Sequence, residues 1–129
     1  MPEPSIDVDK LSLALRSNAK PHSIGRCAHY VRLALEAGGA KTSGHPAHAK
    51  DWGGVLLRNG YQKLGISSLK SYFPQLGDVA IIQPCAGGSI SGHIQVWDGR
   101  RWISDFVQQD FWPGPGYRKS TPAFAIYRH

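Results

Sequence analysis

The amino-terminal half of the chain has the apolar spacing of helices. Apolar side chains recur every three or four positions over residues 7–18, where Asp7 can accept hydrogen bonds from the free backbone N–H groups of a first turn. A second predicted helix, residues 27–37, contains strong helix formers and stops at two glycines. A third is predicted to begin within residues 43–46 and to run to Asn59.

After Gly60 the pattern changes to short apolar or alternating runs, which are typical of strands. Strands are predicted at residues 61–64, 79–82, 91–97, 101–106 and 123–127. Asp98-Gly99 is a strong hairpin turn between two of them. Residues 111–116 are predicted to form an irregular loop, and the Pro/Gly-rich segment 107–122 that contains them matches no motif. Helices followed by hairpin-linked strands indicate an α+β fold, with amino-terminal helices packed on an antiparallel sheet.

The composition narrows the class of protein. The chain has 129 residues, the size of one domain, so we expect residues 1–129 to form a single domain with residues 1–6 as a loose leader. Fifteen Lys and Arg against nine Asp and Glu give a net charge of +6, which suits an acidic partner. The basic residues are scattered and form no nucleic-acid-binding motif, and no apolar run could span a membrane.

Two residues combine in a way that suggests nucleophilic catalysis. Cys27 begins the second predicted helix, where free N–H groups and the neighbouring Arg26 favour a thiolate. His93 begins a predicted strand, and its alternation with Ile94 turns the imidazole away from the apolar face or into a cleft. A cysteine and a histidine that meet in space can act as nucleophile and general base.

The hairpin supplies a third candidate. If the turn includes a bulge, Asp105 lies across from His93 and could orient its ring. With a strict two-residue turn, Ser104 takes that place instead. Each residue alone could be structural, with Cys27 a packing cysteine and Asp105 a solvated carboxylate.

The order of these residues resembles the papain-like cysteine amidases and peptidases of the NlpC and CHAP group. The resemblance covers residues 23–106 and includes the helix-start Cys27, Gly77-Asp78-Val79 before a core strand, and Gly92-His93 opening the next. Ser104-Asp105 is similar to the position where type VI secretion amidase effectors place an acidic residue. The resemblance implies a papain-like fold and a cysteine hydrolase without a metal or organic cofactor.

The same resemblance implies a substrate and partners. We expect a peptidoglycan amidase or endopeptidase that cuts stem peptides or cross-links, with Cys27, His93 and Asp105 catalytic and a cognate immunity protein as partner. Ser91, Gln95 and Trp112 are candidates for substrate binding. We expect no binding of nucleic acid or membrane.

The amino-terminal residues bear on how such an enzyme would reach a wall. Met1 to Asp7 have no basic or apolar signal-peptide region, so we expect synthesis in the cytoplasm, delivery by type VI secretion and action in the periplasm of a target bacterium. A phage endolysin, a cysteine protease with other substrates and a catalytically inactive binding module are the alternatives.

Two further groups are expected to have no catalytic role. Cys85 lies in a Pro/Gly-rich loop, where a disulfide to Cys27 is possible under oxidising conditions but would cap the nucleophile. His45 and His48 lie three residues apart without a third ligand at metal-site spacing, so no metal site is expected.

Overall fold

The computed structural model describes residues 6–129 as an α+β fold. In these residues the α-helices are α1 (Val8–Asn18), α2 (Cys27–Ala37), α3 (Gly53–Arg58) and α4 (Pro115–Ser120). The strands are β1 (Gln62–Lys63), β2 (Val79–Ile82), β3 (His93–Trp97), β4 (Trp102–Ile103) and β5 (Phe124–Arg128). Short 3-10 turns lie at Ala49–Asp51 and Leu69–Ser71. Along these residues no helix is long and apolar enough to cross a membrane.

The five strands form one antiparallel sheet in the order β1-β5-β2-β3-β4. The carboxyl-terminal strand β5 therefore lies between β1 and β2. A fully buried carboxylate secures this arrangement, because Asp78 accepts two 2.8 Å hydrogen bonds from the Arg128 guanidinium and one of 2.7 Å from the Tyr72 hydroxyl. Asp78, in the Gly-Asp sequence before β2, thus stabilises the position of β5 in the sheet.

Apolar residues cover the sheet on both faces. Ile94 and Val96 face α1 and α2 in the larger core, as the strand alternation predicts. Ala80 and Ile82 face a second core, which is closed by aromatic side chains of the loops, among them Phe111. The sequence pattern did not predict this second core, because the side chains that close it come from segments with little regular structure.

The first two predicted helices are confirmed, and the third is shorter than expected. Residues 43–48 form turns and bends, and helical structure begins at Ala49 and becomes regular only in α3. Helix α4 begins within the predicted irregular loop and continues beyond it. It starts at Gly114-Pro115, with proline at the position where its missing N–H costs nothing.

The predicted leader also needs correction at its last residue. Residues 1–5 lie outside the described residues, but Ile6 is only 5% exposed and belongs to the larger core. Its burial follows from helix packing, since the backbone N–H of Asp7 donates to Gly38 O at the end of α2.

The β3–β4 hairpin has a four-residue loop, longer than either predicted turn. Val96 pairs with Ile103 and Trp97 with Trp102, so the loop comprises residues 98–101. The Asp98 carboxylate stabilises it by accepting from the N–H groups of Arg100 and Arg101. The ladder ends at Ile103, so neither Asp105 nor Ser104 is paired across from His93.

Gly92, immediately before His93, has a backbone geometry that excludes a side chain. Its φ is +70°, and a Cβ there would lie 2.5 Å from the carbonyl oxygen of Ile82. We predict that Gly92→Ala lowers the free energy of unfolding by clearly more than Gly87→Ala, whose φ is +76° but whose Cβ would meet open space. The left-handed backbone alone costs about 1–2 kcal/mol in either variant. Chemical denaturation measures both losses, and equal losses would contradict the close contact at Gly92.

Candidate active site

Cys27 is the first residue of α2, as predicted, and the loop before it is held by a buried carboxylate. Asp105 is 1% exposed, and its Oδ2 accepts hydrogen bonds from the backbone N–H groups of Ile24 (2.8 Å) and Arg26 (3.0 Å). Its backbone oxygen accepts from Lys20 N at 2.8 Å. Asp105 therefore fixes the segment that leads into Cys27 and determines where the helix begins.

His93 is the first residue of β3 and is 6% exposed. Its Nε2 lies 2.9 Å from Oε1 of Gln108, a side chain that is itself 1% exposed. The hydrogen bond that the sequence suggested for Asp105 is thus made by Gln108. Asp105 is still near enough for its charge to act on the imidazole.

A chain of buried amides fixes the orientation of Gln108. The carbonyl oxygen of Phe111 can only accept, so Gln95 turns its Nε2 towards it at 2.9 Å. Gln95 Oε1 then accepts from Gln108 Nε2 at 2.8 Å, which leaves Gln108 Oε1 for His93 and for the Ser104 hydroxyl. Only one assignment of the two amides satisfies all of these contacts.

This amide chain determines the tautomer of His93. Because an amide oxygen only accepts, His93 Nε2 must carry the hydrogen, and Nδ1 of the neutral ring is then an unprotonated acceptor. Burial lowers the pKa of His93 to about 4, against smaller opposing effects of the Gln108 hydrogen bond and the Asp105 charge. The ring is neutral at physiological pH and is available as a base.

The thiol of Cys27 is also neutral at rest. Burial raises its pKa, and the negative charge of Asp105 raises it further. Backbone N–H groups of Ile94, Ala28 and Cys27 itself act in the opposite direction but do not prevail. The N–H groups at the helix start do favour the thiolate, as expected, but burial outweighs them in the resting protein.

One open cleft brings together most of the predicted residues. Cys27, His93, Asp105 and Ser91 all line it. Ser91 Oγ lies 2.7 Å from Nδ1 of His48, within hydrogen-bond distance.

The remaining two predicted substrate-binding residues lie elsewhere. Gln95 is fully buried and uses its amide within the protein, so it does not reach substrate. The prediction for Gln95 is wrong because the second core covers the face of β3 that carries it. Trp112 lines an adjoining groove that shares Phe106, Pro113 and Gly114 with the cleft.

Two residues of the site were missed, Gln108 and Tyr117. Both come from the segment after β4 that carries no regular pattern. Tyr117 lines the cleft from α4, and its ring centroid is 6.1 Å from that of His93. The Gly114-Pro115 helix start was the one available signal for Tyr117. No sequence signal distinguishes Gln108 from its neighbour Gln109.

Both cysteines are free in this structure. Within residues 6–129, no group of three or more His, Cys, Asp or Glu side chains is placed to hold a metal ion. His45 stacks on Trp52, with 5.2 Å between ring centroids, and His48 contacts Ser91.

Comparison with known proteins places the chain in a family. No family model matches the chain, and no curated protein matches it. Among solved structures, the chain is similar to one in the type VI native effector-immunity complex Tae3-Tai3 from Ralstonia pickettii. The identity is 40% and the TM-score 0.83, over 95% of this chain and 98% of that one.

The chain belongs to the Tae3 family. A second structure of the Tae3-Tai3 complex, from selenomethionine-labelled protein, matches at 42% identity and a TM-score of 0.79, over 92% of this chain and 99% of the other. The α+β, papain-like fold predicted from the sequence is confirmed, and Tae3 shares it over nearly the whole chain.

The neutral state of the site predicts how Cys27 reacts with an alkylating reagent. In a Cys85→Ala background, iodoacetamide should modify Cys27 more slowly at pH 7.5 than it modifies the same thiol in the denatured chain, because a raised pKa leaves less thiolate. The rate should keep rising above pH 8. A thiolate–imidazolium pair would instead give a fast, pH-independent rate between pH 5 and 7, and that result would contradict the neutral state.

Proposed function

We propose that this protein is a type VI secretion effector that kills bacteria by hydrolysing amide bonds of peptidoglycan, with Cys27 as its nucleophile. The observation that carries the proposal is the fixed tautomer of His93, a residue that lines the same cleft as Cys27. Membership of the Tae3 family supports the effector role.

The neutral pair favours a mechanism in which proton transfer accompanies attack. His93 Nδ1 takes the proton from Cys27 Sγ as the sulfur bonds to the amide carbonyl carbon, and the carbonyl electron pair moves onto oxygen. The imidazolium then gives this proton to the leaving nitrogen as the C–N bond breaks. Water, activated by the same Nδ1, hydrolyses the thioester and restores the thiol.

Gln108 and Asp105 have separate supporting roles in this mechanism. Gln108 Oε1 holds His93 Nε2–H and stabilises the imidazolium that forms transiently. Asp105 positions residues 24–26, so that the backbone N–H of Cys27 can face the developing oxyanion. Its charge also favours the imidazolium once the proton has moved.

The substrate and partner follow from charge and family. A net charge of +6 draws the protein to an anionic wall, and this attraction weakens with salt. Tae3 is an effector solved in complex with its immunity protein Tai3, and we infer a cognate immunity protein here. We infer that the chain is a single domain with NlpC- or CHAP-type cysteine chemistry, in which Gln108 orients His93. We also infer that it acts in the periplasm of the target bacterium.

The test is hydrolysis of purified peptidoglycan by matched cysteine variants. The wild type and Cys85→Ala should release soluble muropeptides with new amine and carboxyl ends, which mass spectrometry detects. Cys27→Ala should lose at least about 10³-fold of this rate, because it lacks the nucleophile. The fragment masses also name the bond that is cut.

Two outcomes of this test would overturn the proposal. No release by the wild type would indicate an inactive binding module or a cysteine protease with other substrates, and release by Cys27→Ala would exclude Cys27 as the nucleophile. A parallel measurement checks the compartment. Fused to an export signal, the wild type should arrest growth of a Gram-negative host, whereas the same chain kept in the cytoplasm should not.

A further inference from the structure

Tyr117 forms one wall of the Cys27 cleft and has no role in the mechanism described so far. Its ring packs at the border of the second core, and the side chain is half-buried. The ring centroid lies 6.1 Å from that of His93, at an interplanar angle of 55°. Tyr117 is therefore next to the general base without being bonded to it.

Surface contacts join the segment that carries Tyr117 to its neighbours. Arg118, the next residue, makes two 3.2 Å hydrogen bonds to the Asp110 carboxylate and one of 3.3 Å to Trp112 O. On the other side of Tyr117, a Cβ on Gly116 would lie 3.3 Å from Cys85 Sγ, so the helix rests against that loop.

The Tyr117 hydroxyl differs from the other hydroxyls that line the cleft. Ser91 is bonded to His48, while Ser23 and Ser89 accept from backbone N–H groups two residues on. Tyr117 Oη has no hydrogen-bond partner anywhere in residues 6–129. This hydroxyl is not among the fully buried polar atoms, so solvent or a ligand in the cleft can reach it and bond to it.

The Tyr117 hydroxyl responds to charge on the two cysteines near it. Burial raises the pKa of Tyr117 to about 12, and negative charge on Cys85 and Cys27 contributes to the rise. A group that senses charge on Cys27 Sγ will also sense charge on an oxygen two bonds from that sulfur. Tyr117 stays protonated over the working pH range and remains a donor.

We propose that the Tyr117 hydroxyl donates a hydrogen bond to the carbonyl oxygen of the scissile amide as that oxygen becomes negative. This assignment rests on the proposed function. The Cys27 Sγ–C bond forms, the proton moves to His93 Nδ1 and the carbonyl electron pair comes to rest on oxygen. The backbone N–H of Cys27 and Tyr117 Oη then stabilise that oxygen together.

Tyr117→Phe tests the assignment because it removes only the hydroxyl. On a soluble cross-linked muropeptide we expect kcat to fall about 100-fold with KM nearly unchanged, since the bond is made in the transition state. Tyr127→Phe is the matched control, as its hydroxyl lies against Gly53, outside the cleft. A peptide aldehyde, which forms a hemithioacetal with Cys27, should bind Tyr117→Phe about 100-fold more weakly as well.

Alkylation of Cys27 by iodoacetamide separates this role from a structural one. The alkylation rate and the melting temperature of Tyr117→Phe should match the wild type, because the Cys27–His93 pair is intact. An unchanged kcat, or a fall in kcat matched by a fall in alkylation, would overturn the assignment while leaving the cysteine hydrolase in place. Failure of the wild type to hydrolyse any muropeptide would overturn the proposed function and this assignment with it.

Discussion

The contact between Gln108 and His93 is the interaction on which the site depends. It is made in a dry interior, where an amide oxygen and an imidazole N–H must each find a partner or bear the full cost of burial. Gln108 Oε1 accepts from His93, and Gln95 Oε1 accepts from Gln108 Nε2. The carbonyl oxygen of Phe111 is the last acceptor, for Gln95 Nε2. Reversing either amide would bring like groups together, so the series has one stable arrangement.

The second core of the sheet makes this contact possible. If the face of β3 that carries His93 and Gln95 were open to water, water would compete for both amides and the ring could adopt either tautomer. The loops after β1 and β4 close that face with aromatic side chains instead. The same burial lowers the pKa of His93 and raises that of Cys27, so the pair rests without charge. In the mechanism that we propose, the proton moves only during reaction.

Asp105 and Gln108 have different roles in this buried region, which the sequence alone did not distinguish. Asp105 and Gln108 both follow β4 and both are buried. The carboxylate serves backbone N–H groups, which suit a fixed negative charge, and the neutral amide serves the imidazole. A carboxylate bonded directly to His93 would raise the pKa of the ring more strongly than a neutral amide does. The Gln108 amide orients the ring, and burial keeps the ring neutral.

The sequence predicted those parts of the protein that depend on local pattern. Helices α1 and α2, with Cys27 at the start of α2, follow from apolar spacing and end signals, and Gly92-His93 follows from strand alternation. The hairpin register was beyond prediction, because the Asp98 side chain lengthens the turn by its own hydrogen bonds. Gln108 and Tyr117 were not predicted as site residues for a similar reason, because tertiary contacts rather than local periodicity position them.

The most direct test of the account is the protonation state of His93, measured by ¹⁵N NMR of the imidazole nitrogens between pH 3.5 and 8. We predict a hydrogen on Nε2 and none on Nδ1 throughout the neutral range, with an imidazolium forming only near pH 4. Gln108→Leu, which removes the acceptor, should abolish this preference for one tautomer. A hydrogen on Nδ1, or an imidazolium at pH 7, would contradict the account.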